Sequence, residues 1–256
     1  MKSEIKIVPD LQTLSRKAAE IFVEIGTEAI EKRGKFIVAL AGGSTPKSLY
    51  QLLATDKFSS QIDWSKVFFF FGDERNVLPD DEQSNFRMAN ENLLKPLKIA
   101  EKNIFRWQTE LLDAKKIAAD YERTIKEFFN LKNNESASAS NSKSLLHLDL
   151  ILLGMGDDGH TASLFPFTKA LREKKKNAVA NRVEKLKADR LTFTFPTINN
   201  ASKVVFLISG EEKAKTLQMV LEGEREPERF PAQNVILKNG NLFWLVEEKA
   251  ARFLTK

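Results

Sequence analysis

Along this chain, short runs of consecutive apolar residues alternate with longer stretches in which apolar residues recur every three or four positions. Runs of the first kind predict strands buried on both faces, and stretches of the second kind predict amphipathic helices. "EIKIV" predicts a first strand. From Asp10 a long helix follows, with Ala18, Ala19, Phe22, Ile25, Ala29 and Ile30 on one face. "KFIVALA" is then a strand, "PKSLYQLLA" a helix and "KVFFFFG" a strand. "EQSNFRMANENLL" is a helix, "NIFRW" a short strand and "LLDAKKIAADYERTIKEFFNL" a helix. "LHLDLILLG", "RLTFTF" and "KVVFLIS" are strands, "EEKAKTLQMVLEG" a helix, and "NLFWLV" and "EEKAARFL" a closing strand and helix. This order predicts an α/β chain: a three-layer, Rossmann-like fold with a mostly parallel central sheet covered by helices on both faces.

One Ser/Asn-rich stretch, "NLKNNESASASNSKS" from Asn130 to Ser144, interrupts the pattern. Elements of similar kind continue on both sides, so residues 1–256 are expected to form a single domain with this stretch as a mobile surface loop. No apolar run approaches the ~20 residues of a membrane span. The opening "MKSEIKIVPDLQTL" lacks the continuous apolar core of a secretory signal, so a cytoplasmic protein with no membrane partner is expected. The absence of cysteine excludes disulfides, thiolate zinc sites and cysteine nucleophiles.

The formal net charge of +5 lies in one place, because the eight bases and three acids from Arg172 to Arg190 account for all of it. Such a run reads first as a solvated helix or loop face, and second as a local field that attracts small anions. No aromatic residue lies within it to stack on bases, and a nucleic-acid partner is not expected.

Two glycine turns carry the candidate chemistry. In "FIVALAGGSTPKSLYQLLA" a strand ends at Ala41, and Gly42 and Gly43 allow a tight turn into a helix that Ser44 or Thr45 can cap, with Pro46 at its first position. Free N–H groups, two hydroxyls and the helix dipole then converge where a phosphate can bind. The Walker spacing is absent. After the strand "KVFFFF" come Gly72, Asp73, Glu74 and Arg75, at the strand end where ligands gather in open parallel sheets, although a solvated loop with a local Glu–Arg pair fits as well.

The second turn, "LDLILLGMGDDGHTASLFP", matches G-x-G-x-x-G at Gly154, Gly156 and Gly159. Dinucleotide binding is rejected, since Asp157 and Asp158 would repel a pyrophosphate and Pro166 interrupts the helix such a loop requires. There remains a strand-end turn holding Asp157, Asp158 and His160, an arrangement that suits a general base acting on water. His147, at the opposite end of that strand, reads as structural. One histidine without thiolates does not make a metal site.

"LAGGSTP", "GDERNVLPDDEQSNFRMANENLL", "LILLGMGDDGHTASLFP" and "RLTFTFPTINNA" together resemble the 6-phosphogluconolactonase family, which shares its fold with glucosamine-6-phosphate isomerase/deaminase and with sugar-phosphate-sensing regulators. The resemblance implies cofactor-free hydrolysis of 6-phosphoglucono-δ-lactone by a monomer or weak homodimer. It implies His160 as general base with Asp158 orienting it, and Arg75 facing the substrate. It also implies Gly42, Gly43, Ser44 and Thr45 around the phosphate, Asp73 at the substrate, and Arg190 and Lys213 as cationic partners.

The related deaminases would use Asp73 to abstract a carbon-bound proton, and their histidine motif continues toward F-N-E-P with a supporting glutamate. Here the text is Ser163-Leu164-Phe165-Pro166, and that carboxylate is missing. The regulators carry an N-terminal helix-turn-helix, for which one strand and one helix before "FIVALAGG" leave no room.

Overall fold

The structure is a computed structural model that describes residues 2–129 and 146–255, so the Asn130–Ser144 stretch lies outside the described residues. Its strands are β1 (Lys2–Val8), β2 (Phe36–Leu40), β3 (Val67–Phe71), β4 (Asp73–Arg75), β5 (Ile104–Phe105), β6 (Leu150–Leu153), β7 (Ala178–Val183), β8 (Ala188–Phe193), β9 (Lys203–Ile208) and β10 (Asn241–Glu247). Its helices are α1 (Leu11–Arg33), α2 (Ser44–Leu53), α3 (Asp56–Ser59), α4 (Asn85–Ala89), α5 (Ala114–Phe128), α6 (Phe195–Ile198), α7 (Ala214–Leu221) and α8 (Glu248–Ala251). None of the described helices is long and apolar enough to cross a membrane.

Seven strands form one sheet in the order β1-β10-β9-β6-β2-β3-β5, every pairing parallel. The helices that join parallel strands cover both faces, which is why β2 and β6 read as uninterrupted apolar runs and are buried along their whole length. Each of those side chains except Ala39 contributes about 1.5–3 kcal/mol by leaving water. The chain winds outward from β2 through β3 to β5, then returns to β6 on the other side and continues through β9 and β10. The reversal point therefore lies between β2 and β6, and in such sheets the crevice beyond the carboxyl ends at that point receives the ligand.

Hydroxyls pin those carboxyl ends. The buried Tyr50 hydroxyl donates to the Ala41 carbonyl (2.8 Å) and accepts from the Ala41 N–H (2.9 Å), fixing β2 just before its glycines. Tyr121 does the same for β3, accepting from the Phe71 N–H at 2.9 Å and reaching the Phe105 carbonyl at 3.0 Å. The Trp107 indole N–H donates to the Phe71 carbonyl (3.1 Å).

Three expectations are corrected. "RLTFTF" is a strand, but it belongs to a separate antiparallel sheet, β4-β8-β7, not to the parallel one. The basic run from Arg172 to Arg190 is not a helix or loop face over its length, for β7 and the hairpin into β8 lie within it. Ala178, Asn181 and Val183 are buried while Arg182, Lys185 and Lys187 are exposed, and a charge count does not see that difference. The helix expected from Glu82 starts at Asn85, where the Ser84 hydroxyl caps it by accepting from the Arg87 N–H at 3.1 Å, and its last turn widens to a π-helical turn over Asn90–Leu94.

Candidate active site

Four neighbouring strands, β9-β6-β2-β3, each deliver a loop to one cleft of about 420 Å³. From β2 comes the glycine turn. Gly43, at φ 105°, is the N-cap of α2, Ser44 is its first residue and Pro46 its third, and no side chain caps the helix. The expected capping by Ser44 or Thr45 is thus corrected: the exposed Ser44 hydroxyl is not spent on the helix, and Thr45 Oγ1 is instead 3.1 Å from Ser209 Oγ. Gly42 sits so close to Asn85 that a Cβ there would lie 1.8 Å from the amide oxygen. The first turn of α2, with its unpaired N–H groups, faces the cleft.

β3 delivers Gly72 and then β4. The Asp73 carboxylate is buried, accepting from the Ser163 hydroxyl (2.7 Å) and from the Asn85 amide (3.3 Å). Glu74 makes no pair with the Arg75 side chain, contrary to the loop alternative read from the sequence. It is 2% exposed and accepts from the N–H groups of Arg75, Asn85 and Phe86, each at 2.8 Å. Burial pushes the Glu74 carboxyl up to about 7, against the pull of those three donors. The Arg75 guanidinium turns instead to the Gln83 carbonyl (2.6 Å).

Arg75 lies directly opposite Arg190 in the β4–β8 ladder, and both reach the cleft. Two like charges facing across a ladder repel. Burial first, and then Arg75, pull the Arg190 pKa below its ordinary value, with Asp73 and Glu74 opposing. No carboxylate pairs with either guanidinium among the described residues. On the far wall, the turn after β9 brings in Lys213, whose pKa burial lowers while Glu212 and Asp157 counteract.

β6 delivers the histidine turn. It is closed by the Gly156 N–H on the His160 carbonyl (2.8 Å) and the Gly159 N–H on the Gly156 carbonyl (3.1 Å), and Thr161 ties back to the Gly154 carbonyl at 2.9 Å. His160 Nδ1 lies 2.5 Å from Asp158 Oδ1, which also accepts the His160 backbone N–H at 3.2 Å. A Cβ on Gly156 would fall 2.1 Å from His160 Nδ1, so the ring occupies the space that any other residue there would fill. The opposite face of the imidazole stacks on Phe165 with centroids 4.0 Å apart. Burial alone would raise the Asp158 carboxyl. The hydrogen bond and charge of His160, its N–H and nearby Lys185 together hold it well below the ordinary carboxylate range. With Nδ1 held by a carboxylate, the imidazole lone pair is left at Nε2.

The ten residues implied by the resemblance all line this cleft, Gly42, Gly43, Ser44, Thr45, Asp73, Arg75, Asp158, His160, Arg190 and Lys213, whereas Glu74 does not. His147 stays outside it, bound to the Asn200 carbonyl and the Ser202 hydroxyl at the amino end of β6. Sequence reading gave no part to Asn85, Ser163, Phe165 or Lys185, although three of them stand in quoted motifs. The small antiparallel sheet matters here as well. The Asn181 amide donates to the Ser163 carbonyl (2.9 Å), the Ser163 N–H donates to Thr192 (3.2 Å), and the Phe193 N–H donates to the Gly72 carbonyl (2.8 Å).

Residues 9–244 match the family model described as glucosamine-6-phosphate isomerases/6-phosphogluconolactonase. The chain belongs to this family. The 6-phosphogluconolactonase of Nostoc sp. is 36% identical to it over 255 residues, covering 100% of both chains. That of Synechocystis sp. is 37% identical over 258 residues and covers 99% of each. Among solved structures, the 6-phosphogluconolactonase from Trypanosoma cruzi superposes with a TM-score of 0.85 at 28% identity, covering 100% of this chain and 98% of the other. The family resemblance read from the motifs and the parallel three-layer fold expected from the apolar pattern both hold.

Proposed function

We propose that this protein hydrolyses 6-phospho-D-glucono-1,5-lactone to 6-phospho-D-gluconate, the lactone-opening step of the oxidative pentose phosphate pathway, with His160 as general base. The observation that carries the reading is the Asp158–His160 contact of 2.5 Å in the cleft that the first turn of α2 also lines. In this reading His160 Nε2 takes a proton from water while the oxygen attacks the lactone carbonyl. The resulting tetrahedral oxyanion collapses by breaking the ring C–O bond, and the ring oxygen receives the proton from His160. Asp158 keeps the ring in the tautomer this step needs.

The N–H groups of Gly42 to Thr45, the free Ser44 hydroxyl, Lys213 and Arg190 take the phosphate, and Arg75 faces the carbonyl oxygen. A phosphate dianion held by Arg190 and Lys213 offsets the repulsion between the two guanidiniums. Asp73 acts by fixing Ser163 and Asn85, because both of its oxygens are engaged.

The amino-sugar phosphate isomerases of the same family provide the rival reading, and Phe165 weighs against it. At the point of the motif where a supporting glutamate would stand, this chain presents an aromatic ring flat against the imidazole. The test is proton release from freshly prepared phosphorylated lactone, corrected for spontaneous hydrolysis, with unphosphorylated gluconolactone as control. Acceleration confined to the phosphorylated lactone supports the reading. No acceleration, together with turnover of glucosamine 6-phosphate, would refute it.

A further inference from the structure

The hairpin between β7 and β8 turns through Glu184–Leu186 and Lys187, whose φ is 49°, and its tip lies at the cleft, where Lys185 and Leu186 form part of the wall. The tip is placed by the ladder below it, whose last pair is Val183 with Ala188. Arg182 engages both Glu184 (3.5 Å) and Asp189 (3.8 Å), so the hairpin's own acids are turned toward Arg182. Lys185 Nζ reaches the other way, to Asp158 Oδ2 at 3.4 Å. The two oxygens of one carboxylate thus face two different groups, Oδ1 the imidazole and Oδ2 the ammonium.

We propose that Lys185 is a positioning residue for His160: held on the outer oxygen of Asp158, it keeps the inner oxygen on the imidazole and moderates the imidazole's basicity. This rests on the reading of His160 as the base. An imidazolium is stabilised by the negative charge of its carboxylate partner, and an ammonium on the far side of that carboxylate offsets part of the effect. Lys185 is 68% exposed and Asp158 21%, so the coupling passes partly through water and is modest and screened by salt. Other charges surround the pair. They are Asp157 on the same turn, Lys213 and Glu212 ahead of α7, Asp73, Arg75 and Arg190 across the cleft, Arg182, Glu184 and Asp189 on the hairpin, Asp113 and Lys115 at the start of α5, Lys169, and Arg229 beside Phe230. Among the described residues only His160 and Lys185 are within hydrogen-bond distance of the Asp158 carboxylate.

The chain has two histidines, so imidazole NMR titration reads His160 directly, with His147→Gln to assign the signals. In Lys185→Gln the His160 midpoint is expected to move to higher pH by about half a unit at low salt, and by less in ~0.5 M salt. Lys185→Arg should keep the wild-type midpoint. The acid limb of kcat/KM for the phosphorylated lactone should follow the midpoint upward, while KM changes less than about threefold. An unmoved His160 midpoint in Lys185→Gln overturns the proposal. So does a KM raised tenfold or more with the acid limb in place, which makes Lys185 a substrate ligand instead. A shifted midpoint in a protein without lactonase turnover leaves the coupling standing and removes the proposed function. Normal turnover with no shift does the reverse.

Discussion

The imidazole of His160 and the ring of Phe165 lie with centroids 4.0 Å apart and planes 20° from parallel. Together with Asp158 at the edge and Gly156 on the other side, this leaves the imidazole one orientation. A flat face is what the contact uses, so Phe165→Leu keeps most of the apolar volume and loses the orientation. We expect kcat to fall about tenfold with KM little changed, since an interaction made mainly in the transition state is weakened. A KM effect larger than the kcat effect would place Phe165 against the substrate instead.

Removal of the proposed base, His160→Ala, should lower kcat by ~10²–10⁴. Asp158→Asn should be milder and should have a signature in pH. A neutral amide no longer stabilises the imidazolium, so the imidazole releases its proton more readily and the acid limb of the pH–rate profile moves to lower pH. That is opposite in sign to the shift expected for Lys185→Gln. Identical shifts in the two variants would contradict the electrostatic account of the pair.

The glycine turn after β2 can be tested through its neighbour. Gly42→Ala puts a methyl group 1.8 Å from the Asn85 amide oxygen, and Asn85 is itself held on Asp73. Overpacking of this kind costs about 1–3 kcal/mol. Thermal unfolding should show the loss, and adding Asn85→Ala should recover part of it, because the two changes meet at one contact. Lys213→Ala, by contrast, should leave the unfolding midpoint nearly unchanged and raise KM for the phosphorylated lactone only. An equal rise with unphosphorylated gluconolactone would remove the phosphate role.

Glu74 predicts a slope in stability against pH. Its carboxyl, ordinarily near 4.5, is pushed up to about 7 by burial. Between those values the folded chain keeps a proton that the unfolded chain releases. Stability on this account is therefore greatest below about pH 4.5, declines as pH rises and levels off above about 7, by at most about 3 kcal/mol. In Glu74→Gln this part of the pH dependence should vanish from the denaturation midpoints. A decline of the same size in the variant would trace it to another group.

The parts of the molecule that were legible in the sequence are those whose information is local. β2, β3, β6 and β9 announce themselves because a strand buried on both faces has nowhere to put a polar residue. Asp158 and His160 are two residues apart, and Gly42 to Thr45 are consecutive, so their chemistry is written in one stretch. β4 is three residues long and β7 runs through a basic segment, and neither leaves a periodic trace. Ser163 meets Asp73, Asn181 meets Ser163 and Lys185 meets Asp158 only after the two sheets have come together, and no spacing along the chain encodes those contacts. Arg190 shows both cases: its strand was readable, but its place opposite Arg75 was not.

The pairing of β1 with β10 joins Lys2 to Asn241 and Val8 to Glu247. During synthesis β1 has no partner until β10 has followed it. Until then α1 has only part of the sheet to cover, and the growing chain carries an unpaired edge beside the apolar residues of that helix. The cleft's loops follow β2, β3, β6 and β9, and β10 contributes Glu247, which accepts from the Gly210 N–H (3.1 Å) in the turn before Lys213. The loops after β2, β3 and β6 can therefore be assembled before the sheet is closed, while that turn waits for β10. Late closure of the β1 edge makes the nascent chain, more than the finished enzyme, the form exposed to aggregation and to chaperone capture.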